Sequence, residues 1–320
     1  MPAEPGLRLG TRGSRLALWQ ADHVAARLRG QHPGLHLERV VVQTVGDRVL
    51  DTPLARIGDK GLFTKELEKA LRDGEIDVAV HSLKDLPTRL PDGLALHAVL
   101  EREDARDALV APAAGRLDDL PARARVGTSS LRRRAQLLAL RPDLEVADLR
   151  GNVPTRLDRL DHGDYAAIVM AYAGLLRLGL GARATEVLGP ERMLPAVGQG
   201  ALGLETRAGD ERVGRLLAPL EHPPTRLATT AERALLAALE GGCQVPIGAL
   251  GEWDGDGLVL HGLVSDLDGR EALREVARAR VADEDAARRL GAGLAGRLEA
   301  RGARRILEAI ADRAVARVGA

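Results

Sequence analysis

The 320-residue sequence contains few aromatic residues and no excess of either charge. Phe, Trp and Tyr make up 2% of the chain, and 46 Lys and Arg residues balance 46 Asp and Glu residues. Proteins that bind nucleic acid without sequence preference rely on a basic surface and on aromatic rings that stack with bases. The composition therefore excludes attraction of nucleic acid by the protein as a whole, and any anion site must be local.

Long apolar runs are absent as well. A membrane-spanning helix needs about 20 mostly apolar residues, and no run approaches that length, although 45% of the residues are hydrophobic. The first ten residues have no long apolar stretch behind basic residues, which a secretory signal would have. We therefore expect a soluble protein of the cytoplasm.

Cysteine occurs once, as Cys243. One cysteine cannot form an internal disulfide, which fits a reducing compartment. One cysteine and scattered histidines also lack the ligand spacing of a zinc site, so we expect no metal. Lysine is scarce beside arginine and is confined to Lys60, Lys65, Lys69 and Lys84. Coding bias explains the excess of arginine, but the clustering singles out residues 60–84.

The chain length predicts two or three domains, because domains typically hold about 100–200 residues. In the first part, a strand over 7–10 precedes a helix over 15–28, and a helix over 62–71 precedes a strand over 76–80. Ser14 stands at the expected N-cap of the first helix. Alternating strands and helices indicate parallel α/β units.

The middle of the chain repeats this pattern. Predicted strands over 125–127, 144–149 and 166–171 each lead through small or polar residues into a helix: Thr128-Ser129-Ser130, Arg150-Gly151-Asn152 and Tyr172-Ala173-Gly174. In open α/β sheets this edge binds ligands, because free backbone N–H groups and helix dipoles favour anions. The sequence therefore predicts an anion site at these turns.

Two segments are candidates for crossings between the α/β units. The charged segment 101–107 could lead into the second unit, and the strand-like segment 201–204 could return the chain to the first sheet. After a predicted helix over 229–240, alternating apolar and polar residues and two helical runs indicate a smaller α+β domain.

Five arginines gather at the predicted ligand edge: Arg12, Arg132, Arg133, Arg150 and Arg156. Guanidinium groups bind carboxylate or phosphate through paired hydrogen bonds. The arrangement suggests an anion site. In a chain so rich in arginine, a solvated surface position remains the alternative for each of these residues.

The segment 81–85 follows a predicted buried strand, so Lys84 and Asp85 would emerge where the sheet opens into a cleft. A carboxylate there can stabilise a cationic intermediate or move a proton. Alternatively, Asp85 caps a turn before Pro87. His81 has no partner that the sequence identifies, and we interpret it as a packed strand residue.

Cys243 follows two glycines that end a predicted helix. Its thiol would therefore lie on an uncrowded loop rather than inside an apolar strand or helix. Such a thiol is a candidate for covalent chemistry, with simple packing as the alternative. A papain-like nucleophile is disfavoured, because the sequence identifies no histidine to activate it.

Seven segments, taken together and in order, resemble the porphobilinogen deaminase (hydroxymethylbilane synthase) family. The similarity covers most of the chain, and the final helical region is its least diagnostic part. The segments are TRGS at 11–14 with LALWQ at 16–20, GDKGLF at 58–63, VHSLKD at 80–85, VGTSSLRR at 126–133, LRGN at 149–152, LPAVGQG at 194–200 and EGGCQVPIG at 240–248.

The resemblance implies a transferase of porphyrin and haem biosynthesis. It would join four porphobilinogen molecules head to tail with loss of ammonia, and water would then release hydroxymethylbilane. It also implies a dipyrromethane cofactor, attached through a thioether to Cys243, and Asp85 as the central catalytic group. A monomer is expected, with a small-molecule substrate and neither nucleic acid nor a membrane as partner.

The fold that the resemblance implies, and that the strand pattern allows, is α/β. It has two periplasmic-binding-protein-like α/β domains with a double crossover, plus a smaller C-terminal α+β domain that carries the cofactor-anchoring cysteine. The predicted domains are residues 1–100 with 194–218, residues 101–193, and residues 219–320.

The resemblance further implies which residues hold the acetate and propionate groups of cofactor and substrate. The cofactor-binding residues, besides Cys243, are Ser14, Lys84, Thr128, Ser129, Ser130, Arg132, Arg133, Arg150 and Arg156. The substrate-binding residues are Arg12, Ser14, Lys60, Phe63, Arg150, Arg156, Arg177 and Gln199. For Phe63, anchoring of the predicted helix over 62–71 is the alternative.

Two other classes of protein fit parts of this pattern. A solute-binding protein of the same two-domain type would also surround a carboxylate with arginines, but the absence of an export signal and the loop cysteine argue against it. An anion-responsive regulator would need a DNA-binding element, and the sequence contains neither a helix-turn-helix pattern nor a basic stripe.

Overall fold

The structure, a computed structural model, describes residues 6–44, 46, 63–239 and 245–318, with backbone alone for 313–318. Its strands are β1 (Leu7–Thr11), β2 (Leu37–Val41), β3 (Val78–Ser82), β4 (Leu94–Val99), β5 (Asp107–Val110), β6 (Arg125–Gly127), β7 (Glu145–Ala147), β8 (Ala167–Ala171), β9 (Glu186–Leu188), β10 (Leu202–Arg207), β11 (Ile247–Asp254), β12 (Gly257–Ser265) and β13 (Ala272–Arg280). Its helices are α1 (Arg15–Gln31), α2 (Lys65–Arg72), α3 (Leu131–Leu140), α4 (Val153–Asp161), α5 (Tyr172–Arg177), α6 (Glu211–Leu217), α7 (Pro223–Ala238), α8 (Glu284–Ala300) and α9 (Ala303–Val318). None of the described helices combines the length and the apolar character that crossing a membrane requires.

The first sheet has the strand order β2-β1-β3-β10-β4. β1 runs parallel to β2 and β3, whereas β10 runs antiparallel to both of its neighbours. Val24 and Leu28 of α1 pack with Leu9, Val78 and Leu204 of the sheet in one buried cluster. Because β1 and β3 are parallel neighbours, their carboxyl ends open at the same edge of this sheet.

The second sheet has the order β7-β6-β8-β5-β9. β6 is parallel to β7 and β8, whereas β5 is antiparallel to β8 and β9. The strands of the predicted parallel α/β units, β1 to β3 and β6 to β8, pair in parallel, whereas β5 and β10 are antiparallel to their neighbours. Both strands enter their sheets directly from a crossing segment, without the helical crossover that makes a neighbouring strand parallel.

The chain crosses twice between these two sheets, because it leaves the first after β4, forms β5 to β9 and returns as β10. The crossing segments touch where the Glu103 N–H donates to the Gly200 carbonyl oxygen at 3.1 Å. Gly200 has a φ of +89°, and a Cβ atom there would lie 2.3 Å from the Glu103 carbonyl oxygen. Only glycine fits that approach. The predicted fold class with its double crossover is confirmed, while the domain boundaries stay predictions.

The third sheet, β11-β12-β13, is an antiparallel meander. Leu235 of α7 and Leu294 and Leu298 of α8 form its core together with Leu258 and Leu260 of β12. The sequence predicted this α+β arrangement but not β13. In β13 the less exposed positions are mostly alanine or charged, which is a weak strand signal.

Glu232 on α7 joins the third sheet to both crossing segments. Its fully buried carboxylate accepts a hydrogen bond from Arg102 at 2.5 Å, from the Gly198 N–H at 2.7 Å and from the Gly251 N–H at 2.8 Å. Charged hydrogen bonds of this kind are stronger than neutral ones. Residues from three parts of the chain are therefore held at one buried charge.

The helices begin where the sequence predicts when a side chain caps the first turn. Ser14, Ser130 and Asn152 each accept a hydrogen bond from a backbone N–H at the start of α1, α3 and α4. Two helices begin earlier than predicted, α5 at Tyr172 and α7 at Pro223. Proline is compatible with a helix start, because the first N–H groups have no helical partner.

Candidate active site

The carboxyl ends of β1 and β3 open into a cavity of about 100 Å³. Arg12 and Ser14 reach it from the turn between β1 and α1, and Lys84 and Asp85 from the single 3₁₀ turn that follows β3. Phe63 lines the same cavity. Five predicted site residues from three separate segments are thus brought together.

Asp85 lies at the boundary between the cavity and the second sheet. Among the residues that the structure describes, none makes a hydrogen bond to its carboxylate. Burial, together with Arg133 and Arg150, lowers the pKa of Arg156 to about 10, and the Asp85 carboxylate opposes this effect. Asp85 therefore acts on a cation of the second sheet as well as on its own neighbours.

Lys84 is a half-buried cation beside Asp85. Its Nζ donates to Gln199 Oε1 at 3.3 Å. Burial, together with the charge of Arg133, lowers the pKa of Lys84 to about 8, and Asp85 opposes this effect. A further anion in the cleft would stabilise the charged form of Lys84.

Phe63 precedes α2, and the guanidinium of Arg12 lies 4.0 Å from the centroid of its ring. This is a cation–π contact. The buried face of α2 is formed by other residues, among them Leu67 and Leu71. The ring of Phe63 therefore belongs to the wall of the cavity.

Arg132 and Arg133, predicted to bind anionic ligands, are buried and share one carboxylate of the protein. Arg132 Nη1 and Arg133 Nη2 each lie 2.7 Å from an oxygen of Asp107, and Gln199 Nε2 donates to Asp107 Oδ1 at 2.8 Å. Burial would raise the pKa of Asp107, but the two guanidinium groups hold it well below its usual range. Two cations face one anion, so a net positive charge remains.

The sequence analysis did not predict a role for Asp107. Nothing near the end of the charged segment indicates which residues pair with this carboxylate. Arg132 and Arg133 come from α3, and Gln199 from the returning segment. A search for carboxylates at the start of a buried strand could have suggested it, since such a charge needs a counter-ion.

The hydroxyl groups at the start of α3 are already hydrogen-bonded within the protein. Ser129 Oγ donates to the Leu149 carbonyl oxygen at 2.8 Å, and Thr128 Oγ1 accepts from the Ser130 N–H at 3.2 Å. Ser130 caps the helix by accepting from the Arg133 N–H. These side chains fix the turn, which leaves backbone N–H groups as the better candidates for ligand contact.

Three further predicted arginines do not line this cavity. Arg156 Nε donates to the Gly151 carbonyl oxygen at 2.7 Å, and Arg150 lies near enough to lower the pKa of Arg156. Arg177 Nη2 donates to the Gly200 carbonyl oxygen at 2.6 Å, and its guanidinium lies 5.8 Å from the ring of Trp19. Arg177 thus lies against a crossing segment.

Two predicted site residues, Lys60 and Cys243, lie outside the described residues. A larger cavity, of about 440 Å³, lies between residues 102–106 and Leu250–Glu252. None of the predicted site residues lines it. Within the described part of the chain, no group of three or more acidic, cysteine or histidine side chains is arranged to hold a metal ion.

Two solved structures align with part of the chain. A nutrient binding protein from Burkholderia cenocepacia bound to methionine aligns with a TM-score of 0.41 and 14% identity, over 66% of this chain and 90% of that one. The BvgS VFT2 domain from Bordetella pertussis aligns with a TM-score of 0.40 and 16% identity, over 67% of this chain and 85% of that one.

Family models and curated relatives are more specific. Residues 7–215 match the model described as "Porphobilinogen deaminase, dipyromethane cofactor binding domain", and residues 226–300 match "Porphobilinogen deaminase, C-terminal domain". The chain is 55% identical to porphobilinogen deaminase of Moorella thermoacetica over 95% of its length and 96% of that protein's. It is 54% identical to that of Nitratidesulfovibrio vulgaris over 94% of its length and 96% of that protein's.

Proposed function

The chain belongs to the porphobilinogen deaminase family, and we propose that Asp85 is the central group of the family's reaction in this protein. The chain is accordingly a transferase of tetrapyrrole synthesis. The reaction joins four porphobilinogen molecules head to tail with loss of ammonia, and water then releases hydroxymethylbilane. One observation supports the role of Asp85: its carboxylate shares a cavity with Arg12 and Lys84 and acts electrostatically on Arg156.

The charges around the cleft fit a dipyrromethane cofactor. This group carries several carboxylates and, when bound, supplies the pyrrole to which the first substrate molecule is joined. Burial and like charges lower the pKa values of Lys84 and Arg156. Among the described residues, Asp85 opposes both effects, and Asp107 opposes the one on Lys84. Carboxylates of the cofactor would balance this surplus. The residues proposed to hold it are Ser14, Lys84, Thr128, Ser129, Ser130, Arg132, Arg133, Arg150 and Arg156.

Asp85 stabilises positive charge on the substrate. When ammonia leaves porphobilinogen, the carbon–nitrogen bond breaks with its electron pair going to nitrogen, and an azafulvene cation forms from the substrate. Its pyrrole N–H can donate to a carboxylate, which also stabilises the cation electrostatically. Because none of the described residues hydrogen-bonds to the Asp85 carboxylate, its oxygens are available to accept.

The substrate's acetate and propionate groups need donors at the other walls of the cleft. Arg12 and Ser14 line the cavity beside Asp85, and the ring of Phe63 offers an apolar surface to the pyrrole. We assign substrate binding to Arg12, Ser14, Lys60, Phe63, Arg150, Arg156, Arg177 and Gln199. Paired hydrogen bonds from guanidinium groups favour carboxylates over other anions of similar size.

Intact-mass spectrometry tests the attachment of the cofactor to Cys243. The wild-type protein should carry a covalent mass excess equal to a dipyrromethane, because a thioether survives denaturation. Cys243→Ala should have the mass of its bare chain and should not form product. Wild-type protein that has the mass of its bare chain and fails to consume porphobilinogen would contradict the proposed function.

We expect cofactor-free protein to bind the anionic cofactor less well above about pH 8, because of Lys84. Burial, with a contribution from Arg133, lowers the pKa of Lys84 to about 8, so its ammonium group loses its charge as the pH rises through that value. The rate at which cofactor-free protein assembles the cofactor from porphobilinogen, measured by intact mass, should then fall by up to about tenfold per pH unit, since one contact between a charged group and a carboxylate is lost.

Lys84→Arg is the matched control, because a guanidinium group stays charged throughout this range. The ratio of the two assembly rates at each pH cancels the ionisation of porphobilinogen. This ratio, variant over wild type, should increase from pH 7 to pH 9.5. A constant ratio would show that Lys84 does not hold a cofactor carboxylate.

We also propose that the protein acts as a monomer in the cytoplasm, with no nucleic acid as partner. Zero formal net charge and few aromatic residues support the last point. The proposed domains are residues 1–100 with 194–218, residues 101–193 and residues 219–320. The two crossing segments would allow hinge motion around a growing product. Scattering profiles of enzyme stalled with successive pyrroles can test for this motion.

A further inference from the structure

A buried pair of ionisable side chains lies behind the cavity of Asp85, and the mechanism above does not use it. His81 on β3 is 4% exposed, and Glu205 on β10 is fully buried. His81 Nε2 lies 3.0 Å from Glu205 Oε2. His81 also lines the cavity that Asp85 lines. The pair therefore connects the cavity to the interior of the first sheet.

This hydrogen bond determines which nitrogen of His81 carries a proton. An ionised carboxylate can only accept, so Nε2 donates to Glu205. Nδ1 has no hydrogen-bond partner among the residues that the structure describes. In a neutral imidazole the second nitrogen is an acceptor. His81 is one of the residues that line the cavity, and this tautomer leaves its Nδ1 as an acceptor.

A second buried carboxyl group, Glu68 on α2, lies near the pair. Burial raises the pKa of Glu68, and the charge of Glu205 raises it as well, against the effects of Thr64 and His81. Glu68 therefore takes up a proton more readily than an ordinary glutamate.

Charged groups surround His81 on several elements of the fold. Glu205 is the only one of these groups with a hydrogen bond to His81 in the described part of the chain. The groups are Glu205 on β10, Glu68 on α2, Lys84 and Asp85 in the 3₁₀ turn, and Arg12 after β1.

We propose that His81 takes up the proton that is released when a new carbon–carbon bond forms, and that Glu205 positions His81 for this step. The proposal rests on the proposed function. It concerns the elongation steps in which the acceptor is a substrate-derived pyrrole. Asp85 would then stabilise the cation, and the buried pair would accept the proton, as in other sites where a carboxylate orients a histidine base.

The step balances in atoms and charge. The α carbon of the acceptor pyrrole bonds to the methylene carbon of the azafulvene cation. The C–H bond at that α carbon then breaks, its electron pair returns to the ring, and the proton passes to Nδ1 of His81. His81 passes the proton to the released ammonia, which departs as ammonium. His81 is thus neutral again before the next substrate molecule binds.

A hydrogen isotope effect tests the step directly. Wild type and His81→Gln are compared with porphobilinogen that carries either hydrogen or deuterium at its free α carbon. Glutamine fills a similar space and can still donate to Glu205, but it is not a base. We expect kcat to fall about 10²–10³-fold, and the primary isotope effect to increase, because loss of this proton becomes the slow step.

Glu205→Gln and His97→Gln complete the comparison. Glu205→Gln should also lower kcat and increase the isotope effect, because the ring loses its charged partner. His97, on the neighbouring β4, bonds to Thr206 and does not line the cavity. His97→Gln should therefore keep the wild-type kcat and isotope effect.

Nitrogen-15 NMR gives a readout that does not depend on turnover. In wild-type protein with labelled histidine, the His81 signal should show a protonated Nε2 and an unprotonated Nδ1. In Glu205→Gln the two tautomers should mix, because glutamine can both donate and accept. A wild-type ring protonated only at Nδ1 would overturn the proposal.

The proposal and the proposed function fail in different ways. If His81→Gln folds and keeps the wild-type kcat and isotope effect, the proposed role of His81 is overturned, but the proposed function is not. If circular dichroism shows that His81→Gln does not fold, an unchanged isotope effect in Glu205→Gln also overturns the proposed role of His81. Wild-type protein that forms no hydroxymethylbilane would instead overturn the proposed function.

Discussion

Asp85→Asn is expected to lower kcat by about 10²–10³-fold while the fold is retained. The asparagine side chain keeps the size of the aspartate but loses the charge that stabilises the azafulvene cation, and single electrostatic groups of this kind commonly contribute that much. The Asp85 carboxylate makes no hydrogen bond with any described residue, so its loss should not disturb the 3₁₀ turn. Steady-state assays of product formation measure kcat, and thermal unfolding checks the fold.

Asp92→Asn is the matched control for this prediction. Asp92 is an exposed aspartate on the loop between the same 3₁₀ turn and β4. Asp92→Asn removes the same charge from the same domain without changing the cavity. Because surface substitutions usually have small effects, kcat should stay within about twofold of wild type. A kcat of Asp85→Asn equal to that of Asp92→Asn would show that the role of Asp85 is wrongly assigned.

Asp107→Asn is expected to lower the free energy of unfolding by about 3–5 kcal/mol, the usual cost of breaking a buried ion pair on one side. Asp107 is fully buried, and its charge is the one that faces both Arg132 and Arg133. Without it, two guanidinium groups remain buried with a neutral amide. Urea unfolding followed by circular dichroism measures the difference.

The effect of Asp107 should also depend on pH. Arg132 and Arg133 hold the pKa of Asp107 far below its usual value, against the effect of burial. A depressed folded-state pKa contributes stability that is complete above the unfolded value of about 3.9 and is lost as the pH falls below it. The difference in the free energy of unfolding between wild type and Asp107→Asn should therefore be constant near neutral pH and become smaller below about pH 4.

Asp118→Asn provides the comparison for an exposed ion pair. Asp118 lies 2.6 Å from Arg192, and 59% of its side chain is exposed. Its substitution should cost no more than about 1 kcal/mol, because solvent screens such pairs. Equal losses for Asp107→Asn and Asp118→Asn would mean that the buried carboxylate does not support the two arginines as inferred.

The candidate site could be predicted in part because several of its residues are contiguous in the sequence. Lys84 and Asp85 follow a buried strand, and their emergence at the sheet edge depends only on where that strand ends. The turn after β1 is similar, since Ser14 caps α1 from the neighbouring position. In these cases local geometry carries a side chain from the end of a strand into the cleft.

The partners of these residues could not be predicted from the sequence. Glu205 is 124 positions from His81, and Gln199 is 115 positions from Lys84. Asp107 is separated from Arg132 by 25 positions and a strand. The sequence around His81 does not show whether its side chain is simply packed in a strand or hydrogen-bonded to a buried glutamate.

The sequence by itself determined the strand-to-helix turns, the helix caps, the fold class and the family, because these depend on short segments and on motifs in a set order. The tertiary structure alone decided which strands run antiparallel and which buried charges meet. β10 returns between β3 and β4, and this return brings Glu205 to His81 and Gln199 to Lys84. Such contacts depend on the pairing of distant strands, and the pairing is favoured by burial of a shared core rather than by any one segment.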